Sequence, residues 1–152
     1  MRTSFRTAGC LAIATISAMA LDSGSVNQLQ QTAQRLEREA TSVQQSLKNK
    51  NYDAPAVKVR IESMTSDVGA LDQLAKQIDA SSPQMSGRDE ADWVKTRQLI
   101  QIITALHGSK NQAASEDLVK NRALVRDYAV GVALRAKLLQ GTLTRLQRGP
   151  VS

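Results

Sequence analysis

The 152-residue chain carries one histidine, His107, and one cysteine, Cys10. Acid–base, nucleophilic and metal chemistry therefore have few side chains to draw on. A Ser-His-Asp arrangement would have to use His107, yet no G-x-S-x-G elbow or comparable serine context is present. A diiron centre on a helical bundle needs a glutamate three residues before a histidine. The residue at that spacing from His107 is Thr104. Structural zinc wants three or four Cys or His ligands in set spacing. The stretch from Asp79 to Glu90 lacks the alternating carboxylates and central glycine of a calcium loop, and neither G-x-x-x-x-G-K-[ST] nor G-x-G-x-x-G occurs. No catalytic residue or metal ligand is assigned, and the chain reads as a non-enzyme.

Charge offers the second kind of chemistry. Residues 118–152 hold Lys120, Arg122, Arg126, Arg135, Lys137, Arg145 and Arg148 against Asp127 alone. At about 100° per residue, Arg122, Arg126, Lys137 and Arg148 fall within an arc of about 80° on the side of a helix away from its apolar stripe. Such a ridge is a candidate contact for a protein partner or an anionic envelope surface. The bland alternative is an ordinary solvated face, which is what helical charge runs usually are. Nucleic acid is disfavoured, because no stacking aromatics are interleaved with these cations.

The elements that must position these residues are helices. With 41% hydrophobic, 22% charged and 3% aromatic residues and eight glycines, the composition suits neither a sandwich nor a barrel. One domain is expected at this length. Val26, Leu29, Ala33, Leu36, Ala40, Val43 and Leu47 recur at alternating spacings of three and four, which is one face of a helix, and Ser25 with Gln28 has the form of a capping box. Val57, Ile61, Met64, Val68, Leu71, Ala75 and Ile78 form a second such stripe after Pro55, and Trp93, Thr96, Leu99, Ile100, Ile103 and Leu106 a broader third. Val125, Ala129, Val132, Ala136, Leu139, Leu143 and Leu146 form the fourth, ending before Gly149-Pro150.

The periodicity predicts helices over 25–50, 54–80, 88–107 and 111–148, the last the longest. Asp89, Glu90 and Asp92 suit the start of the third helix, and His107-Gly108 its end. The last helix starts from Ser109, with Gln112, or from Ser115, with Glu116 and Asp117 following. Four long, coiled-coil-like amphipathic helices on short turns give an antiparallel up-down-up-down bundle over 21–149, with 150–152 as a tail. A helical hairpin that dimerises would use the same stripes, but short turns favour closure within one chain. Gly69, Gly131 and Gly141 interrupt helical patterns at about 1 kcal/mol each, and close packing of a neighbouring helix is the expected compensation. Trp93 and Tyr128 are expected to anchor the core with their polar atoms at its rim.

Residues 1–20 have the form of a secretory signal peptide: Arg2 and Arg6, an apolar run from Cys10, and Ala18-Met19-Ala20 as an A-x-A cleavage site. The run is about a dozen residues, short of the roughly 20 that span a bilayer, so no transmembrane anchor is expected after cleavage. Processing would remove Cys10 with both arginines, leaving no thiol and reducing the formal charge from +6 to +4. Stability in an oxidising compartment would then rest on packing, without disulfides. The expected location is the periplasm or the medium.

One interior site survives as an alternative. Folding the second and third helices about a turn near residue 84 brings His107 level with residue 61, one turn from Met64. Met64 and His107 facing inward could hold haem b, an arrangement similar in architecture to the b-type cytochromes built on exported four-helix bundles. Those carry their histidine on the last helix and no matching motif occurs here, so the stripe favours Met64 as core filler and His107 as a helix-end residue. The functional expectation is a non-enzymatic exported bundle that binds a protein partner or associates with itself in the cell envelope.

Overall fold

The computed structural model describes residues 21–81, 85 and 87–148, with the side chains of 110–116 outside the description. Four helices follow one another: α1 Ser23–Ser46, α2 Ala54–Ser81, α3 Gly87–Glu116 and α4 Arg122–Gln147. Each packs on its neighbours in sequence and α1 packs on α4, closing a ring; the diagonal pairs make no such contact among the described residues. Polar pairs between adjacent helices fix the directions. Arg35 meets Asp67 and Glu39 meets Arg60, Asp92 meets Arg145 and Thr96 meets Thr142, and Asn27 meets Gln147 and Glu37 meets Gln140, so that in each of these helix pairs residues advance along one helix as they recede along the other. The fold is the all-α, antiparallel, up-down-up-down four-helix bundle that the stripes imply, and it closes within one chain.

The stripes bury as read. All seven residues named on each of the first, second and fourth stripes lie in one core, together with Trp93, Thr96, Ile100 and Ile103 of the third, while Leu99 and Leu106 are partly buried at its margin. Met64 is fully enclosed. Burying a leucine or isoleucine of this kind stabilises by about 1.5–3 kcal/mol. With no disulfide available after residue 10, this apolar seam carries the stability.

Helix ends depart from the sequence reading in four places. The Ser25–Gln28 box is not the cap of α1; Asp22 is, accepting from the amides of Gly24 and Ser25 and from the Ser25 hydroxyl, contacts that hold its carboxyl below the ordinary range. A carboxylate at the N-cap outcompetes a hydroxyl three residues inside. α1 ends at Ser46 and not near 50, because Lys48 and Asn49 turn their amides back three residues to Gln45 and Ser46. His107-Gly108 does not stop α3, which runs on to Glu116 and at 30 residues is longer than the 26 of α4. The only positive φ among described glycines is at Gly87, so Gly108 adopts no left-handed cap and is carried through the helix. The last helix begins at neither Ser109 nor Ser115. Asp117 accepts from the amides of Val119 and Lys120, which makes the turn, and α4 starts at Arg122. Asp53 caps α2 through the Ala56 amide, with Pro55 in the first turn.

Of Gly69, Gly131 and Gly141, only Gly131 fits the close-packing expectation: an added Cβ would lie 3.1 Å from Leu106 Cδ2. At Gly69 and Gly141 it would meet nothing within 4 Å. Those two helical costs have no compensation inside the bundle. No described helix is long and apolar enough to cross a membrane. The leader over 1–20 and the tail over 150–152 lie outside the described residues.

Candidate functional site

Arg122 stands apart from the basic ridge. Its Nε donates to the Leu47 carbonyl and its Nη2 to the Asn49 carbonyl, both at 2.9 Å, and its guanidinium lies 5.4 Å from the centre of the Tyr52 ring. Helix C-termini leave carbonyls unpaired at the negative end of the dipole, where a cation is favoured. The first residue of α4 thus closes the end of α1 across 75 residues of sequence. Arg126 has only its neighbour Asp127, at 3.5 Å, and Arg148 stands exposed at the end of α4. Lys137 is exposed at mid-helix and makes no ion pair or hydrogen bond among the described residues. The ridge is therefore Arg126, Lys137 and Arg148, with Arg122 withdrawn into the α1–α2 turn.

Beside Lys137 the surface is apolar. Val130, Leu134 and Leu138 project from α4, the two leucines 57% and 53% exposed, and Ile102 projects from α3. They recur every four residues on the side away from the core stripe, so α4 is apolar on two faces, only one of which the bundle covers. Between α3 and α4 lies a groove of about 730 Å³ lined by Leu99, Ile102, Leu134, Leu138 and Gly141, with Lys95, Lys137 and Arg145 at its edges. Arg145 is held by Asp92 at 3.1 Å, whereas Lys95, like Lys137, has no partner among the described residues. The floor is fixed from beneath: Thr96 and Thr142 set their hydroxyls 3.1 Å apart across the two helices, each also within 2.8 Å of a carbonyl of its own helix.

The interior offers a different arrangement. His107 is half-buried, and its Nδ1 lies 2.6 Å from the hydroxyl of Tyr128, itself buried. Burial pushes the Tyr128 phenol well above its ordinary range and His107 below its own. Both groups are therefore neutral, and the contact is one hydrogen bond between them whose donor is set by the imidazole tautomer. His107 is thus a mid-helix residue paired across α3 and α4, not a helix-end residue. Trp93 behaves as expected, buried with its Nε1 donating to Asp79 at 2.8 Å. Asp92, read as a dipole partner, is instead buried against Arg145; Asp89 and Glu90 do occupy the first turn of α3. Among the described residues no three His, Cys, Asp or Glu side chains gather where a metal ion could sit.

The groove escaped the sequence reading, although its signal is present: Val130, Leu134 and Leu138 repeat at a spacing of four, directly opposite a stripe already assigned to the core. No family model, no curated protein and no solved structure matches the chain.

Proposed function

We propose that this protein is a non-enzymatic helical bundle, exported to the periplasm or the medium, that binds a macromolecular partner in the cell envelope through the outer surface of α4 and the adjoining part of α3. The observation that carries this reading is the second apolar face of α4, Leu134 and Leu138 standing in solvent beside Lys137, which has no partner among the described residues. Exposed apolar side chains grouped in one patch mark a contact surface more readily than scattered ones do. Export is supported by the charged, apolar and small-residue order of the first 20 residues. Packing, and not haem, is favoured at Met64 and His107 because the first is enclosed by core side chains and the Nδ1 of the second is taken by Tyr128.

The test is capture from an envelope fraction by the processed chain. Substituting Arg126, Lys137 and Arg148 together by glutamate is expected to lower recovery of the captured partner while the melting curve stays unchanged. Undiminished recovery would remove this face from the proposal. Mass spectrometry of the protein recovered from the periplasm or the medium should give a mass beginning at Leu21, and an intact Met1 species confined to the cytosol would overturn export.

A further inference from the structure

We infer that the α3–α4 groove is a docking site for one acidic amphipathic helix of another protein, about three turns long. This rests on the partner-binding reading above and names the chemistry of the partner. Four observations converge on it.

The first is size. The lining residues on α4 run from Leu134 to Arg145, which at 1.5 Å per residue is about 16 Å, the length of three helical turns. The second is shape. A trough between two antiparallel helices accepts the side-chain ridge of a third helix, whose anchors would fall at i, i+3 or i+4, and i+7. The third is polarity. Of the uncharged polar side chains in the lining, Thr142 is already engaged with Leu139 and Thr96, which leaves the amide of Gln98, so an extended peptide would find few partners for its backbone. A helix brings its own backbone hydrogen bonds and loses none on docking.

The fourth is charge. Lys95 on α3 and Lys137 on α4 line the trough, one from each helix, without partners among the described residues. A helix with leucine-type residues on one face and carboxylates flanking them would set its charges against both lysines. A second copy of this chain docked face to face would instead oppose lysines to lysines, which like-charge juxtaposition disfavours. Gly141 belongs to the same feature. A methyl there would meet nothing within 4 Å among the described residues, yet the helix carries glycine at a cost, and the glycine keeps the trough open.

The experiment uses the processed chain and a fluorescein-labelled 14-residue peptide with leucines at i, i+4, i+7 and i+11 and glutamates on the flanking positions. The comparison peptide has every glutamate replaced by lysine. By anisotropy the acidic peptide is expected to bind at least about tenfold more tightly than the basic one, with the difference shrinking as salt is raised. Gly141→Leu, which fills the trough from a position with free space above it, is expected to abolish binding with no loss of melting temperature. Lys95→Glu with Lys137→Glu should reverse the preference between the peptides. Equal binding of the two peptides, or unaltered binding by Gly141→Leu, would overturn the inference. So would tight binding of phosphatidylglycerol vesicles with none of the acidic peptide, or dimerisation that Gly141→Leu abolishes. If envelope capture persists unchanged with Gly141→Leu but falls with the Arg126, Lys137 and Arg148 substitutions, the groove is wrong and the partner-binding face stands.

Discussion

Replacing Arg122 by alanine is the most informative single perturbation of the bundle, because the same residue looks like a surface cation in sequence and like a clasp in space. Two charge-assisted hydrogen bonds would go, to Leu47 and Asn49, along with the contact over Tyr52. The part-buried bond to Leu47 is worth about 1.5 kcal/mol, at the lower end for a charged donor. The exposed bond to Asn49 adds roughly 0.5 kcal/mol after solvent screening, and the ring contact about 0.5 kcal/mol. The expected loss is thus about 2.5 kcal/mol. For a folded unit of this size that is a fall of about 10 °C in Tm. Urea denaturation followed by circular dichroism reads the free energy directly. Arg122→Lys keeps the charge but not the fork that reaches two carbonyls at once, so it should recover less than half. Arg126→Ala, whose partner is only its neighbour at 3.5 Å, is the control and should stay within about 0.5 kcal/mol of the parent. If Arg122→Ala is as harmless as Arg126→Ala, the clasp between α4 and the end of α1 is not what holds that corner.

Other consequences are equally accessible. Gly69→Ala should raise stability by about 0.5–1 kcal/mol, since it gains helix propensity in open space, whereas Gly131→Ala should gain less because its methyl meets Leu106 at 3.1 Å. Thr96→Val and Thr142→Val should each cost about 1 kcal/mol by removing the buried contact between the two hydroxyls while the remaining one keeps a carbonyl of its own helix, and the double variant should cost less than the sum, a coupling that a double-mutant cycle measures. His107 is the only histidine, and burial lowers its pKa from 6.5. The unfolded chain therefore takes up a proton first, and stability present above pH 6.5 declines as the pH falls toward the folded value. His107→Gln should flatten the urea midpoint between pH 7.5 and 6, and an unchanged slope would show that the imidazole is not desolvated.

Core positions were legible because alternating spacings of three and four leave no other way to bury so many apolar residues. Helix ends were less so. Gly108 reads as a stop, but breaking α3 there would forfeit backbone hydrogen bonds along the next two turns, which outweigh a glycine cost of about 1 kcal/mol. The real boundary depends on Asp117, whose carboxylate gathers the Val119 and Lys120 amides, and nothing in the spacing distinguishes it from Ser109 or Ser115. A helical wheel places Arg122 correctly on an arc and is blind to the carbonyl of Leu47, which only the closed ring brings near. The outward leucines share the helical period of the core stripe, so periodicity alone gives them no separate signal.

The partner-facing role of α4 is tested most directly by photo-crosslinking in cells from benzoylphenylalanine placed at Leu138, with the same probe at Val59, an exposed residue on α2. A discrete adduct from position 138 and none from position 59 is the expected result. Adducts from 59 alone, or indistinguishable patterns from both, would contradict it.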